Sequence, residues 1–243
     1  KFNFLLKHVN SNGDNSTEHS DETSNKLLGS IIFESSYPLK KIGENFNSFL
    51  KPTASIRYSP TETKNISNRD RRINVNNIFS KNRIANNNTV EGGQSLTIGS
   101  EYSLTKKDNN DEFLLLNLAT VLRDRENPDL PLNSTIGEKT SDIVGNAKYI
   151  PNKYFNIDYN FSLDSSLDTS NYDSIKANLS LNNFVTTFEF LQEQNIIGSK
   201  SYIANETSYS FDGSNSLSFS TRKNKDTNLT EFYNLIYEYK NDC

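Results

Sequence analysis

Along much of this chain apolar and polar residues alternate one by one. In Phe155-Asn156-Ile157-Asp158-Tyr159-Asn160-Phe161-Ser162-Leu163 every odd position is apolar and every even one polar. A helix would scatter those apolar residues around its axis, whereas a strand puts them all on one face. The same period recurs at Ile175, Ala177, Leu179 and Leu181, and at Phe184, Thr186, Phe188 and Phe190. It returns at Leu217, Phe219 and Thr221, and at Tyr233, Leu235, Tyr237 and Tyr239. Earlier copies are Ala54, Ile56 and Tyr58, then Leu96, Ile98, Tyr102 and Leu104. The chain is strand-rich throughout. Two segments, Glu112 to Arg123 and Leu229 to Lys240, also carry a helical apolar stripe; their strand neighbours predict strands for both.

The connections alternate as well. Short ones fall at 150–153, 182–183 and 211–215, where Asn and Gly can supply the left-handed conformations of tight hairpins. Long ones fall at 124–140, 164–172, 192–199 and 222–229, all rich in Asp, Asn, Ser, Thr and Lys. Further back, 105–111 and 38–47 belong with the short class, 60–90 and 9–27 with the long. This order predicts about twelve strands running up and down, with tight turns on one rim and long polar loops on the other. Outer-membrane barrels show that asymmetry, with short periplasmic turns and longer extracellular loops.

A soluble sandwich also alternates, because one face of each sheet is buried. Three features favour a membrane barrel. The strand segments run roughly nine to twelve residues, the length of a tilted strand crossing a bilayer. The polar face is polar without interruption, as in Asn156, Asp158, Asn160 and Ser162, which suits a watered interior. Aromatic residues near strand ends (Tyr149, Tyr154, Phe155, Phe184, Tyr202, Phe211) suit the interfacial girdles of such barrels, although the chain has no Trp. A mean hydropathy of -0.71 and the absence of any long apolar run exclude a membrane helix but not a barrel, where only alternate residues face lipid.

Composition removes several kinds of chemistry. A net charge of -4 argues against a nucleic-acid partner. The only two His, His8 and His19, lie in the first twenty residues, which leaves no Ser-His pair for nucleophilic catalysis and little for a metal. No catalytic residue, cofactor site or metal site is expected. The carboxylates of Arg123-Asp124-Arg125-Glu126-Asn127-Pro128-Asp129 read as a solvated loop. Asn12-Gly13-Asp14-Asn15 lacks the later ligands of a calcium loop. Arg69-Asp70-Arg71-Arg72 reads as a surface ion-pair cluster, with anionic headgroups or phosphates as a second possibility.

The single cysteine, Cys243, follows a last strand that runs from the long-loop rim towards the short-turn rim. It therefore falls on the periplasmic side, where a disulfide to a partner outside this sequence and an incidental free thiol are both open.

Two motifs resemble a known family. Asn76-Asn77-Ile78-Phe79-Ser80-Lys81-Asn82-Arg83-Ile84, followed by Val90-Glu91-Gly92-Gly93-Gln94-Ser95-Leu96, is similar to the N-[LI]-F-x-x-N-R and V-E-x-G pair of the LptD family of LPS-assembly proteins. Ser141-Asp142-Ile143-Val144-Gly145 and the closing Tyr237 to Cys243 also resemble family stretches. The resemblance runs from about residue 48 and marks Asn77, Phe79, Asn82, Arg83, Val90, Glu91 and Gly93 as the motif residues. Asn117-Leu118-Ala119-Thr120 departs from the family's usual Gly-Gln before the strand-ending Arg, and only one cysteine stands where many members have two.

The resemblance implies a part of the C-terminal barrel domain, residues 1–243, with the periplasmic N-terminal domain and the terminal strands lying elsewhere. It implies insertion of lipopolysaccharide into the outer leaflet of the outer membrane, no enzymatic activity, and a disulfide from Cys243 to the periplasmic domain. It also implies an LptE-like lipoprotein plug, an LptA-like periplasmic bridge protein and outer-membrane lipid as partners. The fold expected is all-β, an antiparallel up-and-down transmembrane β-barrel of which about twelve strands are present. A general porin or receptor barrel and a soluble adhesin-like β protein are the alternatives.

Overall fold

The computed structural model describes residues 1–12, 24–194 and 199–240. Cys243 and His19 lie outside the described residues, as does most of the Asn12 to Asn15 stretch.

The described residues form thirteen strands: β1 Phe2–Ser11, β2 Ser24–Ser36, β3 Leu39–Ile42, β4 Phe46–Ser59, β5 Gly93–Lys106, β6 Glu112–Arg123, β7 Ile143–Asn152, β8 Phe155–Leu163, β9 Ser170–Leu181, β10 Phe184–Glu193, β11 Lys200–Ser210, β12 Asn215–Asn224 and β13 Thr230–Tyr239. The only helical element among the described residues is a 3-10 turn at Leu132–Ser134. Twelve strands follow one another in sequence order across a single sheet, and β3 pairs with β4 beside that path. β2 and β3 are one arm interrupted at Tyr37-Pro38, because Pro38 has no N–H to offer the ladder. Both helix-or-strand segments are strands, β6 and β13. Among the described residues β1 pairs only with β2 and β13 only with β12, so the sheet is open at both ends, as part of a barrel would be.

The turns of the short rim work in two ways. Asn110 and Asn182 take left-handed backbone conformations, with φ of +57° and +48°. Elsewhere an Asx side chain holds the turn without a left-handed residue. Asn152 Oδ1 accepts the Tyr154 N–H at 2.9 Å, and Asp212 Oδ1 accepts the N–H groups of Ser214 and Asn215 at 2.8 Å. These backbone donations hold the Asp212 carboxyl below its ordinary pKa.

Two compact units are distinguished, each described by itself. The first comprises Lys1–Tyr37, Lys51–Ser100 and Ala119–Ile143. Here the alternation is inverted relative to a soluble protein. On one face Phe2, Phe4 and Leu6 of β1 are 68 to 70% exposed, and Ile31, Ile56, Tyr58 and Ile98 are exposed too. On the other face Ser30, Ser55, Arg57, Ser59, Ser95 and Thr97 are buried. What buries them is the chain's own loops. The stretches 60–90 and 124–140, expected as long polar loops, instead supply Ile66, Ile73, Ile78, Ile84, Val90, Leu130 and Ile136 to the core, seven of the twelve buried apolar side chains among the described residues. The loops carry enough Ile, Leu and Val to bury, which their polar average conceals.

The second unit comprises Pro38–Leu50, Glu101–Leu118 and Val144–Cys243. Its strands keep the two faces apart across the ladder. Tyr159, Ile175, Phe190 and Ile203 form one apolar row, while Asp158, Lys176 and Glu189 lie opposite one another on the polar face with charges alternating. Phe155, Ile157, Tyr159 and Phe161 are only part-buried; it is Ser162, on the polar face, that is buried. Near the short turns Phe46, Phe113 and Tyr149 cluster, with ring centroids 4.8 and 5.2 Å apart, and Tyr209 meets Phe211 edge-on at 5.1 Å. Of the expected aromatic residues, Tyr149, Tyr154 and Phe211 are exposed. Tyr202 is the third residue of β11 and so lies near the long-loop end.

Candidate functional site

The motif residues converge on one buried carboxylate. Glu91, two residues ahead of β5, is 3% exposed, and Arg83 beside it is 1% exposed. Arg83 donates Nε to Glu91 Oε2 at 2.6 Å, and its Nη2 to Oε1 closes a two-pronged pair of the kind a planar guanidinium makes best. The remaining Arg83 donors reach Thr97 Oγ1 at 2.8 Å, Ser95 Oγ at 2.9 Å and the Ile78 carbonyl at 3.2 Å. A strand of small hydroxyl residues thus provides acceptors where larger side chains would block the guanidinium.

Two further arginines come from the strands. Arg123, the last residue of β6, donates Nη1 to Glu91 Oε1 at 2.6 Å and Nη2 to the Gly92 carbonyl. Arg57 of β4 holds its Nε 3.6 Å from Glu91 Oε2 and donates to the carbonyls of Ser80 and Lys81, both at 2.8 Å. Burial works to raise the Glu91 pKa. Arg83, by charge and hydrogen bond, then Arg57 and Arg123, outweigh it and hold the carboxyl far below the usual range. Glu91 therefore stays ionised, one anion among three guanidiniums.

The other motif residues shape the loop that presents this pair. Asn77 Oδ1 accepts the Asn74 N–H at 3.0 Å while its Nδ2 donates to the Arg72 carbonyl at 3.1 Å, which closes the turn leading into Ile78. Asn82 Nδ2 donates to the Asn86 carbonyl at 3.3 Å, and its Oδ1 accepts from Lys7 at 3.1 Å. Val90 is buried and Phe79 half-buried. Gly93 has a φ of +83°, a region closed to most side chains. At Gly92 a Cβ would overlap the Thr61 carbonyl oxygen.

Sequence reasoning marked Arg83 and Glu91 but missed their strand partners Arg57, Arg123, Ser95 and Thr97. A signal was present at Arg57, a charged residue in the polar row between Ser55 and Ser59. It also missed Lys7, whose ammonium reaches from β1 to Asn82, Asn86 and Thr89. The Arg69 to Arg72 cluster binds protein: Arg71 Nε donates to the Arg83 carbonyl at 2.7 Å, and Asp70 accepts from Asn133 at 2.6 Å, lacing the 60–92 loop to the 124–142 loop. Among the described residues no group of three His, Cys, Asp or Glu side chains could hold a metal ion, and no helix is long and apolar enough to cross a membrane.

An up-and-down antiparallel sheet with exposed apolar rows and a polar face partly covered by the chain's own loops has the architecture of part of an outer-membrane type of barrel. The chain belongs to the LptD family: the profile described as LPS transport system D matches residues 4–222. That span begins well ahead of residue 48, so the first strands share in the resemblance as well. The family is one of lipopolysaccharide transport and assembly, not of enzymes. No curated protein matches the chain.

Proposed function

We propose that this chain is part of an outer-membrane barrel that delivers lipopolysaccharide into the outer leaflet. The observation that carries this reading is the inverted burial: Phe2, Phe4 and Leu6 exposed in a row while Arg57, Arg83, Glu91 and Arg123 are buried. In water such an arrangement wastes the hydrophobic effect, and a broad exposed apolar face marks contact with lipid or a partner. In a bilayer the apolar face meets hydrocarbon and the polar face looks into the barrel. Residues 1–243 then form a portion of the barrel domain, closed by strands contributed from elsewhere in the protein, since a bilayer tolerates no open sheet edge.

In this reading the loops 60–92 and 124–142 close the barrel on its outer rim, the sugar-phosphate head of lipopolysaccharide travels on the polar side, and the acyl chains leave into lipid. A lipoprotein plug and a periplasmic bridge protein are the partners that the family relation suggests. Cys243, four residues after β13 in the sequence, is the residue proposed to form a disulfide with a periplasmic domain. The test is depletion of the full-length protein in its own cell. Newly made lipopolysaccharide should stop reaching the surface while other barrel proteins still insert; undiminished delivery would defeat the reading.

A further inference from the structure

We propose that the strand-borne cations beneath the 60–92 loop form a binding site for phosphate-bearing groups, which the loop's own oxygens fill while it is seated. The inference rests on the transport reading and deepens it.

Three basic side chains rise from three strands to hold the loop, and each does so through oxygen. Lys7 of β1 donates to Asn82 Oδ1 at 3.1 Å, to the Thr89 carbonyl at 2.9 Å and to the Asn86 carbonyl. Arg57 of β4 takes the Ser80 and Lys81 carbonyls. Arg123 of β6 takes Glu91 and the Gly92 carbonyl, while its Nε is buried with no hydrogen-bond partner. Of all these acceptors only Glu91 carries a charge. Backbone carbonyls satisfy donors but do not neutralise buried cations, and an unbalanced buried charge is costly. A phosphate group brings both the charge and several acceptor oxygens, and it matches the guanidinium fork. Glu91 is thus an internal competitor, a carboxylate standing where a phosphate oxygen would stand.

The neighbouring cavity of about 720 Å³ does not offer the same site. Arg123 borders it, but so do Glu62, Asp124, Glu126 and Asp129, which repel an anion. The cations become accessible by displacement of the loop itself. A phosphorylated head arriving beneath it exchanges with Glu91 and the carbonyls, so loop release and head binding are one coupled equilibrium.

The experiment uses the full-length protein in detergent micelles with three probes: lipopolysaccharide, the same lipid with its phosphates removed, and inorganic pyrophosphate. Seating of the loop is read from the reactivity of a Ser95→Cys thiol, since Ser95 is 5% exposed beneath it. Glu91→Gln should expose that thiol and tighten binding of the phosphorylated lipid by at least about fivefold. The dephosphorylated lipid should gain nothing, and adding Arg57→Gln and Arg123→Gln should abolish the gain. A thiol that stays protected in Glu91→Gln overturns the proposal. So does an exposed thiol with unchanged affinity, or an equal gain for the dephosphorylated lipid.

Where Glu91→Gln does not fold, Ser95→Cys alone decides. Acceleration of labelling by the phosphorylated lipid alone supports a headgroup site, and acceleration by pyrophosphate as well supports a site for phosphate in general. No acceleration by either overturns the proposal. Wild-type protein that neither binds nor delivers lipopolysaccharide removes the transport reading itself, whereas binding with flat contrasts removes only this site.

Discussion

Phe161 of β8 lies over Gly145 of β7 so closely that a Cβ built at Gly145 would overlap the aromatic ring. The strand glycine opens a slot and the ring of the neighbouring strand fills it, a pairing that recovers the packing a glycine forfeits in a sheet.

Gly145→Ala should therefore destabilise the folded protein by ~1–3 kcal/mol, the usual cost of overpacking. Phe161→Leu, which shortens the obstructing ring, should lessen the cost of the alanine. The double mutant in a urea titration of the full-length protein measures this coupling. Gly213 is the control, because a Cβ there meets nothing within 4 Å. Equal effects at the two glycines would show that the ring does not occupy the slot.

The Glu91 cluster predicts a pH dependence of one sign. A carboxyl held below its unfolded pKa contributes its full stability above that unfolded value, ~4.3 for Glu. The contribution then declines as pH falls towards the folded value, because the unfolded chain takes up the proton first. Opening of the 60–92 loop, followed by hydrogen exchange at the Ile66 and Ile78 amides and corrected for intrinsic rates, should be constant from pH 8 to about 5 and rise below about 4. Glu91→Gln should remove this dependence and loosen the loop at every pH, by ~3–5 kcal/mol if the guanidiniums are left without their anion. A loop that opens as the pH rises would contradict the ion-pair account.

Much of this architecture is legible in the sequence because a strand states its face in every second residue. Phe155 to Leu163 can be read directly, and Asn182-Asn183 announces its own hairpin. The loops are less legible for a physical reason. Ile66, Ile73, Ile78, Ile84 and Val90 are spaced irregularly, so no period reveals that they share a core. Arg83 and Glu91 stand out as a motif, but Arg57 and Arg123 join them only through the register of β4 and β6, a long-range fact that local pattern does not encode. The Asx turns at Asn152 and Asp212 show the converse. There the turn residues are plain in the sequence, and only the mechanism, side-chain acceptance instead of a left-handed backbone, needed coordinates.

At the Asn182 turn the backbone does need a left-handed residue, with φ at +48°. Asn182→Gly should be nearly neutral, while Asn182→Val should cost ~1–2 kcal/mol because its Cβ crowds the carbonyl in that region. The same pair of changes at Asn152, which has no positive φ, should instead register in both variants the loss of the bond that its Oδ1 accepts from the Tyr154 N–H. Comparing the four proteins by chemical unfolding separates the two kinds of turn; a glycine that rescues both would merge them.

The orientation of the sheet can be tested at Phe188, in the middle of β10 and 54% exposed. On a water-facing surface, replacing a half-exposed phenylalanine by lysine is close to neutral, since the charge remains solvated. At the centre of a bilayer the same lysine costs ~2–4 kcal/mol. Its neighbour Thr187 points to the opposite face, pairing across the ladder with Asn178 and Glu206. Thr187→Lys should therefore be tolerated far better, because a watered interior and the Glu206 carboxylate both accept an ammonium. Folding of the full-length protein into phospholipid vesicles, titrated with urea, gives the two free energies side by side. A large penalty at Phe188 with a small one at Thr187 fixes which face meets hydrocarbon; the reverse order would turn the barrel inside out, and equal small penalties would take the sheet out of the membrane.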